Sequence, residues 1–420
     1  MVSKADIDSY LRNFSLCEDS SNISMFETEK SRTEVSPIEL NGVVLNKYTN
    51  EFWTHRQRQA CSIHEISYRA CFKPQLPRFF IQLLSEEDSV VYDPFSGRGT
   101  TVLEAGLLGR RIISNDANPL SSMLVRPRFS PPQLSEVKDR LAEIPTDSSI
   151  DSDIDLSMFF HKQTLSEILS LRRYLLERRR GNKEDNVDRW IAMVATNRLT
   201  GHSSGFFSVY TLPPNQAVSP ERQIKINKAR KQAPQYRNVR DIISTKTKSL
   251  LRSVSKEQQF NLSRAADSAL FICGDARSTP QIKSGEVQLV VTSPPFLDVV
   301  QYEKDNWLRL WFNSIDPNAS GVPITMARSV KGWTEVMEAV FVELRRVCKS
   351  SGWVAFEVGE IKNRTINLDE HVVPIGISAG FECVGILVNS QEFSKTSNIW
   401  GVKNMKSGTN TNRIVLFRKN

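Results

Sequence analysis

Residues 90–116 read VVYDPFSGRGTTVLEAGLLGRRIISND, and this stretch decides the fold. Val90-Val91-Tyr92 is β-branched and aromatic, the composition of a strand. Asp93-Pro94-Phe95-Ser96-Gly97-Arg98-Gly99 then interrupts the ladder with a proline and two glycines. Thr100-Thr101 opens onto Val102–Leu108, a run of good helix formers. A second short strand, Arg111–Ser114, delivers Asn115-Asp116. Strand, glycine turn, helix, strand and acid make a βαβ unit of the nucleotide-binding kind. Glycines let the backbone approach a ligand, the helix N-terminus receives a carboxylate or phosphate, and an acid about twenty residues on accepts ribose hydroxyls. Asp116 stands in that position relative to Asp93.

Two details separate this unit from a dinucleotide fold. Gly97 and Gly99 leave the three-glycine phosphate fingerprint incomplete, and Asp93 at the end of the first strand would repel a pyrophosphate. An acid there suits a ligand carrying an ammonium group, such as the methionine end of S-adenosylmethionine. The candidate cofactor contacts on the turn are therefore Asp93, Phe95, Ser96, Gly97, Gly99, Thr100 and Thr101, with Asp116 beyond it. A third strand, Ala269–Cys273, ends in Gly274-Asp275, where Asp275 can bond the exocyclic amine of a bound adenine.

A fourth apolar run, Val287–Val291, leads into Thr292-Ser293-Pro294-Pro295-Phe296. Proline cannot continue a ladder, and two in succession lock the chain into a rigid extended turn. Such a turn presents a hydroxyl, a carbonyl and a ring to one planar ligand, and its rigidity suits a site that must aim an amine.

With these motifs the chain resembles the amino-group DNA methyltransferases, which use S-adenosylmethionine to methylate exocyclic amines. Asp93–Thr100 resembles their cofactor motif, and Ser293-Pro294-Pro295-Phe296 resembles the cytosine-N4 version of their catalytic motif. Phe72-Lys73-Pro74-Gln75-Leu76 resembles the segment that folds over the methionine moiety, which adds Phe72 and Pro74 to the cofactor contacts. The resemblance covers about residues 64–128 and 268–358, with Arg413–Phe417 as a weaker match. It implies a Rossmann-like α/β fold, a doubly wound mixed sheet closed by an antiparallel strand near Arg413–Phe417. It also implies S-adenosylmethionine as cofactor and double-stranded DNA as partner. The expected reaction is methylation of cytosine N4 on a flipped-out base, with a cognate restriction endonuclease as a further partner. Ser293 and the Pro294 carbonyl would accept the amine hydrogens, Phe296 would stack on the base, and Tyr302 would line the pocket. Two readings stay open beside this one. One is adenine-N6 or RNA amine methylation on the same scaffold; the other is a catalytically silent nucleic-acid-binding protein.

The rest of the chain sets the domain reading: an arm over 1–60, a cofactor half over 61–129, a helical insertion over 130–268 and a catalytic half over 269–420. The insertion falls between the Asp116 and Asp275 strands, so the position of a target-recognition region is open. Within it, Thr200–Pro214 is a loop of small and aromatic residues, with His202 a candidate base or DNA contact. From Arg222 to Lys256 eleven lysines and arginines stand against one acid, Asp241. That imbalance makes a candidate phosphate-contacting surface, led by Lys225, Lys228, Arg230 and Lys231. The net charge of +8 agrees with a polyanionic partner. Six scattered cysteines without a Cys-x-x-Cys pair argue against a structural zinc site and for reduced thiols. No apolar run is long enough to span a bilayer and the N-terminus lacks a signal-peptide core, so the expected location is a prokaryotic cytoplasm.

Overall fold

The structure is a computed structural model that describes residues 3–15, 32–53, 60–68, 71–211, 217–295, 302–316, 329–361, 366–390 and 411–420. The strands are β1 (Glu34–Leu40), β2 (Val43–Asn50), β3 (Val90–Asp93), β4 (Arg111–Asp116), β5 (Leu270–Cys273), β6 (Val287–Thr292), β7 (Cys348–Val358), β8 (Glu360–Ile361), β9 (Ile366–Asn367), β10 (Glu382–Ser390) and β11 (Thr411–Arg418). The helices are α1 (Lys4–Arg12), α2 (Gln75–Leu84), α3 (Thr100–Leu107), α4 (Pro119–Val125), α5 (Leu134–Glu143), α6 (Lys162–Arg180), α7 (Asn186–Arg198), α8 (Pro220–Arg230), α9 (Val239–Leu251), α10 (Lys256–Ser268), α11 (Tyr302–Asn313), α12 (Val330–Val347) and α13 (Leu368–Ser378).

Nine strands form one sheet in the order β1-β2-β10-β11-β7-β6-β3-β4-β5. β3 pairs in parallel with β4 and β6, β4 with β5, and β6 with β7. β11 runs antiparallel to both β7 and β10, so the sheet is mixed, with the reversed strand at Thr411–Arg418. The two-residue periodicity of a strand sorts its side chains onto two faces. Val91, Leu289, Val291 and Ala355 pack on one side with α2 and α3, while Tyr92, Val290, Val354 and Phe356 pack on the other with α12 and α13. Helices thus cover both faces, the doubly wound arrangement expected from the sequence.

Part of residues 1–60 belongs to the sheet. β1 and β2 form a hairpin whose turn, Asn41-Gly42, has φ of 51° and 78°. An Asn-Gly pair with both residues left-handed matches the twist of the flanking strands. β2 then pairs in parallel with β10, Tyr48 opposite Leu387, and so extends the sheet at its far edge.

Helices α5 to α10 all lie between β4 and β5. They pack onto the core through α7, where Trp190 through Arg198 are buried on every face. A helix buried all round marks an interior element. Removing one such side chain as large as Trp190 would cost about 3–5 kcal/mol. Arg172 and Arg178 of α6 serve structure. Arg178, with Arg140 from α5, clamps Asp185 and Asp188 at the start of α7, while Arg172 donates to the Trp311 carbonyl in α11. Trp311 donates to Asp153 at 2.7 Å and Trp307 to the Val218 carbonyl, so both tryptophans dock α11 on the insertion.

Candidate active site

Because β3 to β7 run parallel along the sheet, they end on one edge, and the winding reverses between β3 and β6. Ligands of open α/β sheets bind at such a reversal, outside the carboxyl ends. Asp93 closes β3, Asp116 closes β4, Asp275 lies two residues past β5, Ser293 one residue past β6, and Val358 closes β7. The topology therefore gathers onto one rim residues far apart in sequence.

The glycine turn is held mainly by its own side chains. The Ser96 hydroxyl donates to the Asp93 carbonyl at 2.9 Å, and the Ser96 amide donates to the Asn115 carbonyl at 2.9 Å. Thr101 donates to the Val291 carbonyl at 3.0 Å, pinning α3 to β6, and Thr100 accepts from Arg98 Nε at 3.2 Å. These three hydroxyls hold the turn. Gly97 and Gly99 both have left-handed φ, 51° and 74°. A Cβ on Gly99 would also stand 2.6 Å from Val125 Cγ2, so strain and overlap both exclude a side chain there. Asn115 Nδ2 donates to the carbonyls of Pro94 and Gly274, tying the ends of three strands together.

Asp93 is 2% exposed. It accepts from the Thr292 hydroxyl at 2.6 Å and from the Phe95 amide at 3.1 Å. Burial pushes its carboxyl up to about 7, against the pull of those hydrogen bonds. Asp116 accepts from the Gly97 amide at 2.7 Å and the Asn118 amide at 2.8 Å, and burial pushes it up to about 6. Among the described residues neither acid forms an ion pair with a lysine or arginine. Asp275 differs: its own neighbour Arg277 holds it through Nε and Nη2, at 2.9 and 2.5 Å. Burial raises the Asp275 carboxyl, but the Arg277 bonds outweigh it and the net direction is down.

The Ser293 turn is braced on two sides. Thr292, the last residue of β6, makes the bond to Asp93, so the glycine turn and the Ser-Pro-Pro turn share one hydrogen bond. The Trp333 indole, from the start of α12, donates to the Pro295 carbonyl at 3.0 Å. Ser293 lies beside Glu357, near the end of β7, which accepts from Asn412 Nδ2 at 2.7 Å. The sequence reading did not select Glu357. Its signal was a lone acid in the apolar strand Trp353–Val358. Phe296 and the side chain of Tyr302 lie outside the described residues.

Phe72 packs half-buried against the core and Pro74 is the buried N-cap of α2. His202 is exposed, its ring 6.1 Å from that of Phe206. The basic tract divides in two. Arg237 and Arg240 donate to backbone carbonyls, and Lys246 and Arg252 pair with Glu65. Lys225, Lys228, Arg230 and Lys231 are exposed on and just after α8, with Arg230 stacked on the Tyr210 ring at 3.8 Å.

Part of the chain is similar to known proteins. Residues 17–120 match the N6_N4_Mtase family, described as DNA methylase; the match includes the glycine turn and Asp116 and stops before Asp275 and Ser293. Over 103 residues the chain is 32% identical to the Type II methyltransferase M.MvaI of Kocuria varians, a match that spans 24% of this chain and 21% of that protein. A candidate DNA modification methylase from Thermus thermophilus, solved with S-adenosyl-L-methionine, is 18% identical with a TM-score of 0.21, over 35% of this chain and 53% of that one. The rRNA methyltransferase aviRa of Streptomyces viridochromogenes is 11% identical with a TM-score of 0.32, over 86% of this chain and 90% of that one. The strand order and the reversed β11 make the sheet a Rossmann-like, doubly wound mixed one. Among the described residues no helix is long and apolar enough to cross a membrane.

Proposed function

We propose that the protein transfers a methyl group from S-adenosylmethionine to an exocyclic amine in DNA, and that the amine is N4 of a flipped-out cytosine. The observation that carries this reading is the 2.6 Å bond from Thr292 to Asp93, which joins the cofactor-type turn to the Ser-Pro-Pro turn. The similarity of residues 17–120 to DNA methylases supports the substrate class.

The chain's own residues fit such a cofactor. Asp93 is a buried acid and Asp116 a partly buried one, and neither charge has a paired cation among the described residues, which costs free energy until a ligand brings donors to them. In this reading Asp93 holds the ammonium group, Asp116 the ribose hydroxyls, and Asp275 the adenine amine through lone pairs that Arg277 leaves over. Phe72, Pro74 and Phe95 supply apolar walls. When bound, the cofactor supplies an electrophilic methyl on a sulfonium: the amine lone pair forms the new C–N bond while the S–C pair returns to sulfur.

The cytosine amine is a weak nucleophile because its lone pair is delocalised into the ring. Ser293 Oγ and the Pro294 carbonyl counter this by accepting its two N–H groups, which favours a pyramidal nitrogen aimed at the methyl. The amine proton is released after transfer. Reaching the turn requires the base to leave the duplex, at a few kcal/mol. Phe296 then stacks on the base and Tyr302 lines its pocket. Lys225, Lys228, Arg230 and Lys231 contact phosphates, and His202 contacts the same DNA. The serine at 293 is the reason for preferring cytosine.

Incubation with DNA and labelled cofactor, followed by nucleoside digestion and mass spectrometry, tests the proposal. N4-methylcytosine is expected. Label on adenine N6 or cytosine C5 would overturn the base assignment, and label in RNA alone would overturn the substrate.

A further inference from the structure

Glu357 has no role in the reading above, and its surroundings are unusual. It is 8% exposed, on a strand whose neighbours Val354, Ala355, Phe356 and Val358 are all buried and apolar. In the parallel ladder Thr292 pairs with Phe356, so Ser293 and Glu357 follow as the next pair on adjoining strands. Side chains at matched positions in a ladder project to the same face. That placement sets the Ser293 hydroxyl toward the Glu357 carboxyl, whose pKa it pulls down, and Asn412 donates to Oε1 of the same group at 2.7 Å. One donor is thus bonded to this buried carboxylate, and the Ser293 hydroxyl is placed beside it as a second.

A serine hydroxyl is ambivalent, since it has one proton to donate and two lone pairs to accept with. Beside an amine nucleophile that ambivalence is harmful. If the hydroxyl turned its proton toward the amine nitrogen, it would tie up the lone pair that must attack. An ionised carboxylate only accepts, so it removes this choice. We infer that Glu357 is the positioning residue that takes the Ser293 proton and so turns the serine's lone pairs toward the substrate amine. The inference rests on the amine-methylation reading and adds to it the group that makes Ser293 an obligate acceptor. Burial raises the Glu357 carboxyl above its ordinary range and outweighs the pull of Ser293 and Asn412, so the accept-only ionised form is reached at a higher pH than for an exposed glutamate.

Two variants of different kind test this. Glu357→Gln keeps the volume but offers one oxygen to two donors, and Glu357→Leu removes the acceptor altogether. Both are measured beside Ser293→Ala and Ser293→Ala/Glu357→Leu, with folding checked by thermal melting. Each Glu357 variant is expected to lower kcat by roughly 10- to 100-fold, the scale of one misdirected buried hydrogen bond. KM for DNA and affinity for the cofactor stay within about twofold, because Glu357 acts through Ser293 alone. The double variant is expected to be no slower than Ser293→Ala. Wild-type kcat in either folded Glu357 variant, or a double variant slowed by the product of the single losses, would overturn the inference. Digestion of the wild-type product tests the reaction itself, and the ratios among variants test Glu357. Methyl on adenine N6 would change the base and leave those ratios as the measure of Glu357.

Discussion

Asp93 at the carboxyl edge of the sheet and Asp188 in α7 are both buried acids, and the molecule treats them in opposite ways. Asp188 is 0% exposed and is met by Arg140 at 2.5 Å, by Arg178, and by the Asp185 amide at 3.2 Å. Beside it, burial pushes the Asp185 carboxyl up, but bonds from Arg140 and the Asp188 amide and the charges of both arginines outweigh this, bringing it down to about 2. Asp93 is almost as buried, and among the described residues it accepts from the Thr292 hydroxyl and the Phe95 amide and pairs with no lysine or arginine. A buried acid enclosed by cations holds a fold together. A buried acid left with neutral donors destabilises the fold and is retained for a ligand.

The sharpest test of that contrast is to remove the cations. Arg140→Met/Arg178→Met leaves Asp188 buried and uncompensated, and should destabilise the protein by about 3–5 kcal/mol in denaturant unfolding. An unchanged midpoint would break the comparison at its structural end.

Asp93→Asn should act in the other direction. A carboxyl whose folded pKa is raised favours the folded state only when protonated, so its contribution is lost as pH climbs from the ordinary carboxylate range toward about 7. The variant should therefore be more stable than the parent at pH 8, by on the order of 1–3 kcal/mol, with the gain shrinking toward pH 5. Its affinity for S-adenosylmethionine should fall by about 100-fold, the loss of one charge-assisted contact. Calorimetry measures both, and a variant that is less stable at pH 8 would place Asp93 with Asp188.

In the parent, cofactor affinity should depend on the same proton. Below about pH 7 Asp93 must lose a proton before it can pair with an ammonium group, so affinity should weaken as pH falls, approaching tenfold per unit. A flat profile between pH 5 and 8 would detach Asp93 from the ligand's charge.

The smallest effect concerns the surface. Neutralising Lys225, Lys228, Arg230 and Lys231 together should weaken DNA binding and flatten its salt dependence by roughly 0.9 for each phosphate no longer neutralised. Equal salt slopes for variant and parent would remove α8 from the interface.

What could be read from the sequence was local. The strand-glycine-helix run needs only neighbouring residues, and periodicity plus two prolines suffice for the Ser293 turn. What escaped was decided across the chain. The Asn41-Gly42 hairpin is a strong local signal, yet its pairing with β10 depends on residues some 340 positions away. Glu357 looked like one acid in a strand until β6 lay beside β7. The basic tract read as one surface, but Arg237, Arg240, Lys246 and Arg252 are occupied by backbone carbonyls and Glu65, a division that composition cannot express. Likewise nothing local marks Arg178 on α6 as an ion-pair partner, because Asp188 is brought to it by the turn between α6 and α7.

The Trp333 indole that holds the Pro295 carbonyl bears on the thermodynamics of turnover. A turn fastened from the side by the protein itself is ordered before any base arrives. Its conformational entropy is surrendered once, when the chain folds, and not again in each catalytic cycle.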